Sequence, residues 1–222
     1  MTYLRARVHL VTAARPPTEV LAVVRSAVGA ARSLDAAAEL AVQVRVADEV
    51  ADRHAYELTR AVLGACRPSG VLCLVNDRLH VGLAAGADGG HVGAEDLPVA
   101  AARRVLGPAA VLGATCRNPA EAVAAAAAGA TYLGVGPCYS TTTKDGLPEP
   151  IGLAGIARVA AAVPGTPVVA IGGITAARLP DVIQAGAYGV AVVGAVGDAA
   201  DPGRATAELL AACSAAVSEA GR

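Results

Sequence analysis

Two carboxylates fall at the ends of neighbouring apolar runs, Asp77 in Asn76-Asp77-Arg78 and Asp96 in His91-Val92-Gly93-Ala94-Glu95-Asp96. A pair of hard oxygen ligands beside phosphates is an arrangement that holds Mg2+. Helix N-capping is the competing reading for both, and it suits Asp96 before Leu97-Pro98 especially well. Further on, Gly136-Pro137-Cys138-Tyr139-Ser140-Thr141-Thr142-Thr143-Lys144 offers a run of hydroxyls and one ammonium, groups that suit phosphate or pyrophosphate. A solvated polar loop would have the same composition. Gln43 and Arg45 alternate to one side of an extended segment, the side that a closed barrel turns inward. A buried Arg needs a partner, and a substrate anion is one candidate. Ala170-Ile171-Gly172-Gly173-Ile174-Thr175 and Val190-Ala191-Val192-Val193-Gly194-Ala195 each end an apolar run in glycine. Such turns let backbone N–H groups approach an anion at a helix start, unless the glycines serve turn geometry alone.

Other chemistries are poorly represented. His9, His54, His80 and His91 have no metal-ligand spacing, and each reads as structural or exposed; no Ser/His/Asp or Cys/His arrangement is identifiable. Cys66, Cys73, Cys116, Cys138 and Cys213 are odd in number and lack CxxC spacing, so reduced, buried thiols are expected rather than disulfides or a zinc site. With a net charge of -1 and no basic run interleaved with aromatics, no nucleic-acid partner is expected. No apolar run approaches the roughly 20 residues of a bilayer span, and Met1 to Leu10 reads as no secretory signal. A cytoplasmic location without membrane contact is the expectation.

These residues need elements to position them. Short β-branched runs alternate with longer Ala/Leu/Arg/Glu segments along the whole chain, the pattern of a parallel sheet covered by helices. Strands are expected at Arg7–Val11, Leu40–Val44, Val71–Val75, Gly90–Val92, Ala110–Ala114, Tyr132–Val135, Pro167–Ile171 and Gly189–Val193. Helices are expected at Thr18–Ala31, Asp48–Cys66, Arg78–Ala85, Pro98–Val105, Pro119–Ala128, Gly152–Val163, Ala176–Ala185 and Gly203–Ala220. Three of these end in Ala-Gly-Ala, at Gly86, Gly129 and Gly186, as repeated αβ turns do. Eight βα units in 222 residues, with no segment left over, predict a single-domain (β/α)8 TIM barrel over residues 1–222. At 55% apolar but without Phe or Trp, its core must be built from Ala, Val, Leu and Ile. In such a barrel the long segment from Gly136 to Ile151 lies over the active face, at the carboxyl ends of the strands.

Taken in order, these segments resemble the thiamine phosphate synthase family and its thiazole tautomerase relatives. The stretch that carries most of the resemblance runs from Tyr132-Leu133-Gly134-Val135-Gly136-Pro137 through Thr141-Thr142-Thr143-Lys144 to Ile151-Gly152-Leu153 and Val168-Val169-Ala170-Ile171-Gly172-Gly173-Ile174-Thr175. The resemblance implies that Asp77 and Asp96 hold Mg2+, and that Gln43 and Arg45 contact a pyrimidine and its pyrophosphate. Gly113-Ala114-Thr115 is similar to a Gly-x-Ser segment, so Thr115 keeps a hydroxyl near both. Asn76, Arg45 and Lys144 would neutralise charge on departing pyrophosphate, with Thr141 and Thr143 nearby. Gly173, Val193 and Gly194 would cradle the phosphate of a thiazole.

The implied reaction joins hydroxymethylpyrimidine diphosphate to thiazole phosphate, giving thiamine phosphate and pyrophosphate by Mg-assisted dissociative substitution. Lys144, Arg45 and Thr115 would be its catalytic residues. Two departures stand out: Ala47 where the family has Lys, and Ala94 where Gln is usual. Arg117 stands where the tautomerase relatives have a catalytic His. The alternatives are a diverged tautomerase-like isomerase, or a non-catalytic binder of a phosphorylated thiamine precursor. Homo-oligomerisation is left open.

Overall fold

A computed structural model describes residues 4–141 and 148–220. Eight strands, β1 (Val8–Val11), β2 (Leu40–Val44), β3 (Leu72–Asn76), β4 (Gly89–Val92), β5 (Val111–Cys116), β6 (Tyr132–Val135), β7 (Val168–Ile171) and β8 (Gly189–Val192), close into a parallel barrel in chain order. The first strand pairs with the last, Val8 opposite Val190 and Leu10 opposite Val192, so the sheet has no free edge. Outside it lie α1 (Pro17–Ser33), α2 (Asp52–Cys66), α3 (Leu79–Ala85), α4 (Val99–Leu106), α5 (Pro119–Ala127), α6 (Gly152–Ala162), α7 (Leu179–Gln184), α8 (Gly194–Gly197) and α9 (Pro202–Ala220).

Strand periodicity divides the core in two. Alternate strand residues such as Val8, Leu10, Leu40, Val42, Leu133 and Val190 pack outward against the helices, where Ala and Val let helix and sheet approach closely. The others point inward and include Val11, Ala41, Leu74, Val111, Tyr132, Val169 and Ala191. Register brings His91, Gly113 and Tyr132 to one level of the interior on β4, β5 and β6. Among the described residues no helix is long and apolar enough to cross a membrane. All five cysteines are free and buried.

The structure departs from the sequence expectation at three places on the active face. α2 begins at Asp52 rather than Asp48, because the Arg78 guanidinium binds the carbonyls of Ala47, Asp48 and Val50 and keeps that stretch out of the helix. α7 begins at Leu179 rather than Ala176, since Pro180 fits only the first turn of a helix and residues 176–178 form the turn before it. The four-residue α8 was not expected; Val193 and Gly194 open it, directly after the apolar run of β8. The three Ala-Gly-Ala turns do carry positive φ at Gly86, Gly129 and Gly186.

Candidate active site at the strand ends

Asp77 sits just past β3 with φ 59, a left-handed conformation in which Asp is better tolerated than most residues but which still carries strain. Its N–H donates to the carbonyl of His91 at 2.8 Å, tying the end of β3 to β4. A side-chain chain orients its carboxylate: Gln43 Nε2 donates to Asn76 Oδ1 at 2.7 Å, and Asn76 Nδ2 donates to Asp77 Oδ2. Residues from two separate segments of the sequence thus form one hydrogen-bonded line from β2 to the end of β3.

Asp96 is exposed at the end of the β4 loop, where its Oδ2 accepts the N–H of Gly93 at 2.7 Å. A Cβ on Gly93 would lie 2.8 Å from that oxygen and would push the carboxylate aside. Neither aspartate is a helix cap. The capping residues of α3 and α4 are Arg78 and Pro98, with no side-chain cap in either case. Among the described residues no group of three or more His, Cys, Asp or Glu side chains converges. Carboxylates on the loops after two adjacent strands are of the donor type Mg2+ takes, commonly one or two carboxylates with water and phosphate oxygens completing the shell.

Thr115, half-buried near the end of β5, is joined to the barrel interior. His91 Nε2 lies 3.0 Å from Thr115 Oγ1, and His91 Nδ1 lies 3.1 Å from the Tyr132 hydroxyl. Burial lowers the His91 pKa to about 4 against the opposing pull of Asp96, and burial raises that of Tyr132, so both are neutral near pH 7. His9 packs against Tyr132 with ring centroids 5.0 Å apart. Among the described residues neither of its ring nitrogens finds a hydrogen-bond partner of good geometry. Burial and neighbouring His91 lower its pKa to about 4, while the Ala6 backbone pulls the other way.

The β6 and β7 loops are laced together after the cis Gly136–Pro137 bond: Cys138 N–H donates to Ile171 O at 2.7 Å and Tyr139 N–H to Gly172 O at 3.0 Å. This close approach is what the Gly172-Gly173 pair permits. A Cβ at Gly172 would lie 2.6 Å from Pro137 Cβ, one at Gly173 would lie 2.6 Å from Ser140 O, and both residues have positive φ. Loop packing therefore accounts for the two glycines by itself. Gly173 is held further by Arg178, whose Nη1 donates to its carbonyl at 2.7 Å while the guanidinium lies over the Tyr139 ring. Next to it, Val193 and Gly194 are half-buried at the start of α8, where the first N–H groups have no acceptor within the helix. Thr141 is half-buried; Thr142, Thr143 and Lys144 lie outside the described residues.

Three arginines complete the face. Arg45 is half-buried, its backbone exchanging hydrogen bonds with the Thr12 hydroxyl, and its guanidinium forms no ion pair among the described residues. Arg78 is clamped on the β2 loop and pairs with Asp52 at 3.0 Å, so a cation lies against the backbone of Ala47. Arg117 Nη2 donates to Glu149 O at 2.6 Å, joining the β5 loop to the far end of the β6 loop. Sequence reasoning passed over His91 and Tyr132 as chemistry. The signal that was available is glycine inside strands, at Gly113 and Gly134, which marks close approach by something bulky.

Residues 9–196 match the sequence profile of the family described as thiamine monophosphate synthase. The chain belongs to that family. A thiamine-phosphate synthase of Salinispora arenicola is 63% identical over 204 residues, spanning 92% of this chain and 95% of the relative. One of Salinispora tropica is 59% identical over the same length and shares. Among solved structures, a thiamine phosphate pyrophosphorylase of Pyrococcus furiosus superposes with a TM-score of 0.83 at 31% identity, covering 96% of this chain and 98% of that one. A 3-hexulose-6-phosphate synthase, TM-score 0.70 at 19% identity, shares the fold. Apart from Val8, the closed barrel from β1 to β8 lies within the span that matches the family, and its strand-end loops hold the residues described above.

Proposed function

We propose that this chain is a thiamine-phosphate synthase, a transferase that joins hydroxymethylpyrimidine diphosphate to a thiazole phosphate and releases pyrophosphate. The observation that carries this reading is 63% identity, over nearly the full length of both chains, to a relative of that name. In the reaction the bond between the pyrimidine methylene and the diphosphate oxygen breaks, its electron pair leaving with the diphosphate. The thiazole nitrogen lone pair then forms the new C–N bond. No protein nucleophile and no net proton transfer are required, so catalysis lies in positioning and in stabilising the leaving charge.

On this reading Asp77 and Asp96 hold Mg2+, and their orientation by Asn76 and by the Gly93 N–H supports the assignment. When bound, Mg2+ neutralises charge on the diphosphate oxygens. Arg45, whose guanidinium has no ion-pair partner among the described residues, and Lys144 supply further positive charge, with Asn76, Thr141 and Thr143 as polar contacts. Gln43 and Thr115 hold the pyrimidine diphosphate, while Gly173, Val193 and Gly194 cradle the thiazole phosphate on neighbouring loops.

Purified protein incubated with both substrates and Mg2+ is expected to form thiamine phosphate and pyrophosphate in equal amounts. Chelation of the metal, Asp77→Ala and Lys144→Ala should each abolish turnover. Lys144 is the only lysine in the chain, so reductive methylation reports on it alone besides the terminal amine, and the diphosphate substrate should shield it. No product from folded protein would overturn the assignment.

A further inference from the structure

We propose that Tyr132 and His91 are positioning residues that set the direction of the Thr115 hydroxyl, turning its proton toward the departing diphosphate. The proposal rests on the synthase reading for the identity of the acceptor, but the direction itself follows from hydrogen-bond satisfaction inside the barrel.

A neutral imidazole donates from one nitrogen and accepts at the other. The line Tyr132 hydroxyl, His91 ring, Thr115 hydroxyl therefore has two self-consistent directions. In one, Tyr132 O–H donates to His91 Nδ1, His91 Nε2–H donates to Thr115 Oγ1, and the Thr115 proton points away from the line. In the other, Thr115 donates inward, His91 Nδ1–H donates to Tyr132, and the Tyr132 proton must find an acceptor elsewhere. Tyr132 is 1% exposed, and His91 is its only hydrogen-bond partner among the described residues. The second direction strands a buried donor, whereas the first leaves the surplus proton on Thr115, which is half-buried at the strand end and open to a ligand.

The surrounding strands are shaped to hold this line. His91, Gly113 and Tyr132 are register partners, and Thr115 and Gly134 are partners two residues further along β5 and β6. A Cβ on Gly113 would lie 2.2 Å from Tyr132 Cζ and 2.4 Å from His91 Nδ1; one on Gly134 would lie 2.8 Å from His91 Cε1. Both strands give up a side chain where the two rings meet. The hydroxyl so presented donates to the oxygen that acquires charge as the C–O bond breaks, so its contribution is larger in the transition state than in the ground state.

The test combines spectroscopy with a double-mutant cycle. Imidazole 15N spectra of the whole protein at pH 8 should show His91 protonated at Nε2 and unprotonated at Nδ1. A wild-type ring protonated at Nδ1 would overturn the relay whatever the activity. In kinetics, Thr115→Val should lower kcat by roughly 100-fold, the scale for losing one transition-state donor. Tyr132→Phe should lower kcat by roughly tenfold with KM little changed, and in the Thr115→Val background it should cost less than about twofold. Thr115→Ser, which keeps the hydroxyl, should restore the sensitivity to Tyr132→Phe. An equal loss from Tyr132→Phe in both backgrounds would mean that Tyr132 does not act through Thr115, and would also overturn the proposal. Wild-type protein that makes no thiamine phosphate yet carries the Nε2–H ring would refute the synthase reading and leave the direction of the line standing.

Discussion

Gly113→Ala probes the barrel interior with a single methyl group. The added Cβ would lie 2.2 Å from Tyr132 Cζ, 2.4 Å from the Tyr132 hydroxyl and 2.4 Å from His91 Nδ1. Carbon atoms in contact prefer about 3.5–4.0 Å, so the tyrosine ring must move by at least about 1 Å. It has nowhere to go, because Tyr132 is 1% exposed and His9 packs against its ring. Overpacking of this kind costs about 1–3 kcal/mol, and disturbing the His91–Tyr132 hydrogen bond adds about 1 kcal/mol. The φ of Gly113 is not positive, so alanine recovers about 0.5–1 kcal/mol by restricting the unfolded chain. The net loss is about 1–3.5 kcal/mol, which at this chain length lowers Tm by roughly 2–14 °C. Gly29→Ala is the control: this glycine is exposed within α1 with nothing within 4 Å of its Cβ position, and alanine should raise stability by about 0.5–1 kcal/mol. Parallel thermal melts read both. A Gly113→Ala protein melting within about 1 °C of wild type would refute the packing of the two rings.

Stability should fall as pH drops from 6.5 toward 4. His9 and His91 have folded pKa values lowered to about 4, so the native state resists protons that the unfolded chain accepts. Their neutral burial is fully compatible with folding above the unfolded pKa and is penalised progressively below it. Each contributes a loss of about 2 kcal/mol between pH 7 and 4.5, and urea midpoints that stay flat over that range would rule out the buried pair. Arg78→Ala should cost about 2 kcal/mol and speed hydrogen exchange across residues 47–52, because the guanidinium holds three carbonyls there. Arg78→Lys should recover less than half of this, since one ammonium cannot replace the fork; full recovery would show that charge alone matters.

What the sequence by itself determined is what local patterning controls. Alternating β-branched runs and Ala-rich segments predicted eight βα units, and all eight strands lie within two residues of their expected bounds. The glycines after three helices marked αβ turns correctly, because only a left-handed residue returns the chain there without strain. The family was equally legible, since the ordered loop motifs carry it along most of the chain. The candidate residues Gln43, Asn76 and Asp77 were visible as types, but their joining into one hydrogen-bonded line depends on the β2–β3 register.

Tertiary structure alone decided the rest. The starts of α2 and α7 were misjudged because a distant Arg78 and the position of Pro180 override the local helical pattern. The Gly172-Gly173 pair read as an anion-binding turn, yet its side chains are also excluded by a loop some thirty residues earlier in the chain. His91 read as structural on spacing, since nothing near it in sequence is a partner. Its partners, Thr115 and Tyr132, come from two further strands, 24 and 41 residues away. Which nitrogen of that ring carries a proton, and therefore which way the Thr115 hydroxyl points, is set by burial and pairing across three strands, and no local property of the chain encodes it.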